Sequence, residues 1–231
     1  MREGSRLRVS FRDELAKTEE AALGGIDIVL GQIDRCVEAV EHQDVELAQF
    51  VIADDARVDG RYLEVNQSIL SLLALQAPVA GDLRTVAALL HVIKHVERMG
   101  DQCVNIAKLL PLSGHEPPVD TEILSRVLRM GRAARDEAAL CRRAFAERAL
   151  GLAEDLVRSD REINRLNREI FQLAVAAGGD ADVREWAMTM TMVARAFERI
   201  GDNAVDIGEQ TAFVVTGLFR EFSDSSHPSL G

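Results

Sequence analysis

Two blocks of this chain carry pairs of carboxylates at a spacing suited to holding a cation. Residues 97–101 read Glu-Arg-Met-Gly-Asp, residues 198–202 read Glu-Arg-Ile-Gly-Asp, and the two blocks are 101 residues apart. Both lie in stretches whose apolar residues recur every three or four positions, which predicts helices. Residues four apart lie on one face of a helix, about 6 Å apart along its axis. Each block therefore places two carboxylates side by side.

A second acidic row precedes each block by about forty residues. Asp55 and Asp59 form it in the first half; in the second half Asp160 matches, but Asn164 replaces a carboxylate with an amide. Antiparallel packing of the helices would bring the two rows of each half face to face. Hard oxygen ligands without His or Cys suit iron, manganese or magnesium, with calcium and zinc as further candidates. The predicted ligands are Asp55, Asp59, Glu97, Asp101, Asp160, Glu198, Asp202 and Asp206, the last standing one turn beyond the second block.

Acidic and basic residues at helical spacing also suit a solvated, ion-paired face. Two features favour a site: the block recurs in both halves, and each copy contains a mid-helix glycine, which costs about 1 kcal/mol relative to alanine. Gly100 and Gly201 are best explained by close helix approach, an argument that supports tight packing more directly than metal. His91 and His95 have the spacing of a zinc-binding pair, but the helical wheel points both toward solvent and away from Glu97.

Six long helices are predicted around these rows. Three span about 11–41, 45–73 and 82–107, and three more span about 123–149, 152–177 and 183–215. The second of them is periodic through Val58, Leu63, Ile69 and Leu73. Asp82 and Asp182 are predicted to cap the third and sixth helices. The expected fold is all-α: two three-helix bundles related by internal duplication, covering residues 11–110 and 119–217, with a flexible tail at 218–231.

Composition limits the classes of function. A net charge of −11 and a pI near 5.0 argue against nucleic-acid binding, which needs a basic face. The three cysteines are isolated, which suggests neither a disulfide framework nor a thiolate zinc site. About eighteen consecutive apolar residues occur nowhere, so a cytoplasmic protein is expected, peripheral to a membrane through partners at most.

The duplicated Glu-Arg-hydrophobic-Gly-Asp blocks, with Ala-Pro-Val-Ala-Gly-Asp-Leu-Arg at residues 77–84, closely resemble the PhoU-type phosphate-uptake regulator family over residues 11 to 217. The resemblance implies two three-helix bundles related by a pseudo-twofold axis, often forming a homodimer, with multinuclear metal sites on their surface. It also implies a non-enzymatic negative regulator of phosphate uptake and of the phosphate starvation response. Such a regulator is an adaptor between the ATPase component of the high-affinity phosphate ABC transporter and a sensor histidine kinase.

The family's E(D)xxxD residues correspond to Asp55 with Asp59 and Glu97 with Asp101 in the first half. In the second half they correspond to Glu198 with Asp202, and to Asp160 with a departure at Asn164. The resemblance therefore implies a weaker or differently occupied second site, with Asp206 as a compensating carboxylate.

Two other functions are consistent with the same residues. One is a carboxylate-site metal-handling protein or metal-dependent enzyme, and the other is a purely structural adaptor with ion-paired rows.

Overall fold

Six helices dominate the computed structural model, which describes residues 2–75, 78, 80–113, 120–177 and 180–222. The helices are α1 (Arg2–His42), α2 (Val45–Leu75), α3 (Ala80–Leu109), α4 (Thr121–Glu147), α5 (Leu150–Ala176) and α6 (Ala181–Thr216), with a 3₁₀ turn over Leu110–Ser113 after α3. The described residues contain no strand. The all-α prediction is confirmed, and α1 extends nine residues further toward the N-terminus than the periodicity indicated.

The helices form two three-helix bundles packed side by side. The first contains α1, α2 and α3, the second contains α4, α5 and α6, and the bundles meet where α3 packs on α6 and α1 packs on α4. Equivalent helices meet antiparallel: on α1 and α4, Asp27 pairs with Arg142 while Glu41 pairs with Arg132. An approximate twofold axis therefore relates the bundles, as the family resemblance implies.

The interface between the bundles is apolar at its centre and charged along its α1–α4 edge. Val37 of α1 and Phe197 of α6 both pack against Gly131 of α4, within 3 Å of the position that a Cβ there would take. Along the edge, carboxylates of α1 pair with arginines of α4, as in Glu19–Arg148 at 2.6 Å. Exposed ion pairs contribute roughly 0–1 kcal/mol each, so the pairs align the bundles more than they stabilise them.

Helix ends and exposed apolar positions differ in part from the predictions. Asp182 lies in the first turn of α6, and the cap is Asp180, whose side chain accepts a hydrogen bond from the Asp182 backbone N–H. Asp82 likewise lies in the first turn of α3. The predicted caps are therefore residues of the first turn. Leu63 and Leu73 continue the period of α2 but are 66% and 42% exposed, because a three-helix bundle covers a narrower stripe of α2 than its apolar residues occupy.

Gly217 ends α6 in the left-handed region (φ 76°), and residues 218–222 fold back along that helix. Phe219 stacks on Phe213 with ring centroids 4.0 Å apart, and the Phe222 backbone N–H donates to Glu209 Oε1 at 2.7 Å. The rest of the predicted tail, residues 223–231, lies outside the described residues. None of the described helices combines the length and the apolar run that a membrane crossing needs.

Candidate functional site

The first acidic layer lies where α2 crosses α3 at Gly100. A Cβ at Gly100 would stand 3.1 Å from Asp55 Oδ1 and 3.2 Å from Val58 Cγ1, so the helices touch where the side chain is missing. Asp55 and Asp59 on α2 thereby face Glu97 and Asp101 on α3. The close approach predicted from the glycine is present, and it brings the two acidic rows of the first half together.

Negative charge in this layer is poorly compensated. Burial raises the pKa of Asp55, and the nearby Asp59 and Asp101 carboxylates raise it further. Burial and then the Glu97 carboxylate raise the pKa of Asp101. Mutual repulsion of this kind indicates a place where a cation would be stabilised.

One carboxylate of the layer has a basic partner, which comes from its own helix. Lys94 Nζ lies 2.7 Å from Glu97 Oε2, one turn earlier on α3. Its equivalent in the second half, Arg195, pairs in the same way with Glu198. Arg98 and Arg199, the arginines within the two blocks, are both exposed. The basic residue three positions before each glutamate reaches it instead.

The second layer is built on Gly201 and contains a carboxylate that the sequence analysis missed. A Cβ at Gly201 would stand 3.0 Å from Glu137 Oε2, 3.1 Å from Ile163 Cδ1 and 3.4 Å from Asp160 Oδ1. Glu137 lies on α4, is completely buried, and has no hydrogen-bond partner for either carboxylate oxygen. Burial raises its pKa well above the usual range, and Asp160 and Asp202 raise it further.

Helical position gives a signal for Glu137. It lies three residues after Ala134 and four before Cys141, both fully buried, so it stands on the apolar stripe of α4. Its equivalent on α1 is Gln32, 105 residues earlier, which is also completely buried and lies 3.5 Å from the Cβ position of Gly100. Each glycine is therefore faced by a buried polar group from the first helix of its bundle, neutral in one half and acidic in the other.

The other predicted ligands of the second half are more fully engaged. Asn164 Nδ2 donates to Asp160 Oδ2 at 2.6 Å, so the amide that replaces a carboxylate neutralises part of the repulsion. Asn167 Nδ2 donates to Glu198 Oε1 at 3.0 Å, beside the ion pair with Arg195. The second layer therefore has more internal hydrogen bonding than the first.

Asp206 points away from this layer, toward the other bundle. Its Oδ2 lies 3.3 Å from His95 Nδ1, and Asn203 Oδ1 lies 2.9 Å from the same nitrogen. The prediction that His95 faces solvent is wrong, because α6 covers that side of α3. His91, one turn earlier, is exposed as predicted.

The donor set of both layers consists of oxygens that fit a hard cation by type, charge and placement on facing helices. Among the described residues, no three acidic, histidine or cysteine side chains already converge as a metal site. The exposed carboxylates of Asp59 and Asp101 have room to turn toward Asp55. A cation bound there would draw them inward.

Comparison with known proteins gives one consistent family. The model described as PhoU domain matches twice, at residues 26–110 and 127–211. A phosphate-specific transport system accessory protein PhoU homolog of Clostridium acetobutylicum is 28% identical over 220 residues, covering 94% of this chain and 99% of the relative. The PhoU homolog of Caulobacter vibrioides is 31% identical over 211 residues, covering 90% of each.

A solved structure shares the fold. The crystal structure of the phosphate transport system regulatory protein PhoU from Streptococcus pneumoniae superposes with a TM-score of 0.84 at 24% identity, covering 91% of this chain and 99% of that one. Both matched segments contain one acidic layer and one of the glycines at which the helices touch. This chain, with its duplicated bundle and its repeated Glu-Arg-hydrophobic-Gly-Asp block, belongs to the PhoU-domain family.

Proposed function

We propose that this protein is a non-enzymatic accessory and regulatory protein of phosphate-specific transport. The observation that carries the proposal is its likeness, over nine-tenths of its length, to relatives named accessory proteins of that system. In finer detail, we propose that it acts in the cytoplasm as a homodimeric adaptor. It contacts the ATPase component of the phosphate ABC transporter and a sensor histidine kinase, and keeps the phosphate starvation response off when phosphate is plentiful.

The fold supports an adaptor role. Six long helices present extended, rigid faces, and the apolar side chains on α2 and α5 include several that are more than half exposed, such as Leu70 and Phe171. Exposed apolar side chains that cluster on one face mark interaction sites in soluble proteins, and on α5 Phe171 and Val175 lie one turn apart. The sequence contains no phosphate loop, nucleophile elbow or Ser/His/Asp signature.

We further propose that the acidic layers bind iron, manganese or magnesium. Asp55, Asp59, Glu97 and Asp101 would hold the ion in the first half. Asp160, Glu198 and Asp202, with Glu137 beneath them, would hold it in the second. A bound cation would offset the repulsion that raises the pKa of Asp55 and Asp101. It would thereby fix the relative position of α2 and α3, and so the surface that a partner reads.

The regulatory role is tested by deleting the gene and following a phosphate-responsive promoter. The expected result is expression of the starvation response in high phosphate, restored to repression by the wild-type gene. Unchanged expression in the deletion strain would refute the regulatory role. Binding of the purified protein to the kinase's cytoplasmic part and to the transporter ATPase, measured by biolayer interferometry, tests the adaptor role separately.

Metal binding is tested by elemental analysis of purified protein incubated with micromolar Mn²⁺ or Fe²⁺ and then desalted. Glu97→Ala/Asp101→Ala should lose the metal of the first layer, and Glu198→Ala/Asp202→Ala that of the second. Asp34→Ala is the matched control, because Asp34 is an exposed carboxylate of α1 outside both layers. Equal metal content in the wild type and all variants would remove the metal proposal and leave the adaptor role standing.

A further inference from the structure

A groove lies between the two bundles, beside the second acidic layer, and its wall includes Asn167 and Arg195, the two side chains that bind Glu198. Its volume is about 870 Å³, with Ala196 of α6 in the floor, α3 with its 3₁₀ turn along one side and α5 along the other. Gln102 and Asn105 on α3 and Phe171 on α5 stand at the rim. Clefts of this size commonly hold ligands or partner segments.

The internal duplication shows why the groove is open. At the position related by the approximate twofold axis, His95 fills the space against Asn203 and Asp206. In the groove the equivalent of His95, 101 residues on, is Ala196, and its neighbours are Gln102 and Asn105, the equivalents of the same Asn and Asp. An imidazole has thus been replaced by a methyl group, which leaves a cavity.

The charge of the groove has changed together with its shape. Four basic side chains line it and no acidic one does; they are Lys108, Arg168, Arg195 and Arg199. The duplicate has Glu209 in place of Lys108 and Asp206 in place of Asn105.

Half of this basic charge has no acidic partner in the described part of the chain. Arg195 pairs with Glu198, and Lys108 is close enough to Asp101 to lower the pKa of that carboxylate. Among the described residues, no carboxylate forms an ion pair with Arg168 or Arg199. In a chain of net charge −11, four basic side chains around one groove, two of them without a described acidic partner, point to an acidic ligand.

The groove is also more apolar than its duplicate. Phe171 and Met192 are 59% and 56% exposed, and they replace Asn66 and His91 of the first half. Leu112 is 67% exposed, whereas its equivalent Phe213 is covered by the ring of Phe219.

Exposed apolar side chains continue beyond the cavity. Val175 lies one turn on from Phe171, and Met188 one turn back from Met192. From Met188 to Arg199 the strip follows α6 for about 17 Å. A small ligand would occupy only the groove and leave the exposed apolar side chains beyond it uncovered. A helix of three or four turns is long enough to cover the whole strip.

We propose that this groove is the docking site for an acidic amphipathic helix of a partner protein. Apolar residues at helical spacing would enter between Phe171 and Met192, and flanking carboxylates would meet Lys108, Arg168 and Arg199. The proposal rests on the adaptor role, because that role is the reason for expecting a partner protein. It adds to that role the docking surface on this chain and the chemistry of the partner.

The test is a selection of helical peptides from a phage library with randomised surface positions, panned on the wild-type protein. Before the selection, the library is depleted of phages that bind the Phe171→Ser variant, so that the remaining binders depend on the groove. The Phe171 side chain is exposed, and circular dichroism checks that the variant folds. The expected peptides carry a net negative charge beside an apolar stripe. Measured by fluorescence anisotropy, their Kd should rise about tenfold with Arg199→Glu.

Arg98→Glu is the matched control, because Arg98 holds the same place in the first copy of the block and lies outside the groove. It should leave the Kd within about twofold. Peptides with Lys in place of Glu should bind Arg168→Glu/Arg199→Glu and fail to bind the wild type.

Three outcomes of the selection would overturn the proposal. The selected peptides could be basic or neutral, they could bind wild type and Arg199→Glu equally, or no groove-dependent peptide could be enriched. Two other results would replace it with a different occupant. If sedimentation shows that Phe171→Ser dissociates a dimer, the groove is a contact between copies of this chain. If ATP binds in the groove and no peptide does, the groove is a small-anion site.

The selection and the promoter test of the proposed function are independent. The selection uses purified protein and has no phosphate readout, so its failure would leave the promoter result standing. A failed promoter test would likewise leave the peptide-binding result standing.

Discussion

Replacing Glu137 with Gln should stabilise the protein increasingly as the pH rises. Glu137 is completely buried, without a partner for either oxygen, and its pKa is raised by burial, by Asp160 and by Asp202. Above the unfolded-state pKa of about 4.5, the folded carboxyl keeps a proton that the unfolded one releases. The folded state then binds more protons, so the free energy of unfolding falls as the pH increases.

The size of the effect follows from that linkage. One proton changes the free energy of unfolding by at most about 1.4 kcal/mol per pH unit. The loss begins near pH 4.5 and ends when the pH passes the folded-state pKa of Glu137. Gln has almost the same volume and cannot ionise, so Glu137→Gln should lack this part of the pH dependence. Its unpaired amide carries a desolvation cost similar to that of the neutral acid, roughly 1–3 kcal/mol, which leaves a small pH-independent difference.

The assay is urea denaturation of both proteins between pH 5 and pH 8 with EDTA present, so that no cation occupies the layer. Asp136→Asn is the matched control, because Asp136 is the neighbouring residue on α4 and its side chain is 79% exposed. We expect the gap between Glu137→Gln and wild type to widen with pH, and the Asp136→Asn curve to stay parallel to the wild type. Parallel curves for all three proteins would refute the assignment of a buried, proton-holding carboxyl.

Three further predictions test packing and charge. Gly201→Ala should lower the free energy of unfolding by roughly 1–3 kcal/mol, because the new Cβ meets Glu137 and Ile163 at about 3 Å. Gly60→Ala, in open space on α2, should instead raise the free energy of unfolding by up to about 1 kcal/mol. Thermal melts of both variants measure the two signs. Asn164→Asp should destabilise the metal-free protein by roughly 1–3 kcal/mol, since it replaces a buried hydrogen bond to Asp160 with repulsion, and millimolar Mn²⁺ should reverse the loss if the second layer binds metal. Arg135→Ala, which removes an exposed pair between α1 and α4, should cost less than about 1 kcal/mol, and the cost should vanish in 1 M salt; a larger cost would assign the edge a stabilising role.

The apolar pattern along the chain is sufficient to predict the helices, their number and the duplication. Helical periodicity is a local property, so six apolar stripes were readable without knowing what covers them. Gly100 and Gly201 also indicate a tertiary contact. A glycine in the middle of a helix destabilises that helix, so its presence indicates that another helix packs closely against that position. That reasoning placed Asp55 against the Gly100 segment, and the structure has its carboxylate 3.1 Å from the missing Cβ.

The polar groups that those contacts bury depend on how the helices pack against one another. Glu137 and Gln32 come from the first helix of each bundle, and no spacing within α2 or α3 indicates that they lie beneath the glycines. A helical wheel drawn for α3 alone puts His95 in solvent because it does not contain α6, whose Asn203 Oδ1 lies 2.9 Å from His95 Nδ1 and accepts a hydrogen bond when that nitrogen carries the proton. The groove at Ala196 likewise depends on the packing of the two bundles, since a cavity is a property of the surfaces that meet. Burial is set by neighbouring helices, and the period of one helix reports which side is covered without identifying what covers it.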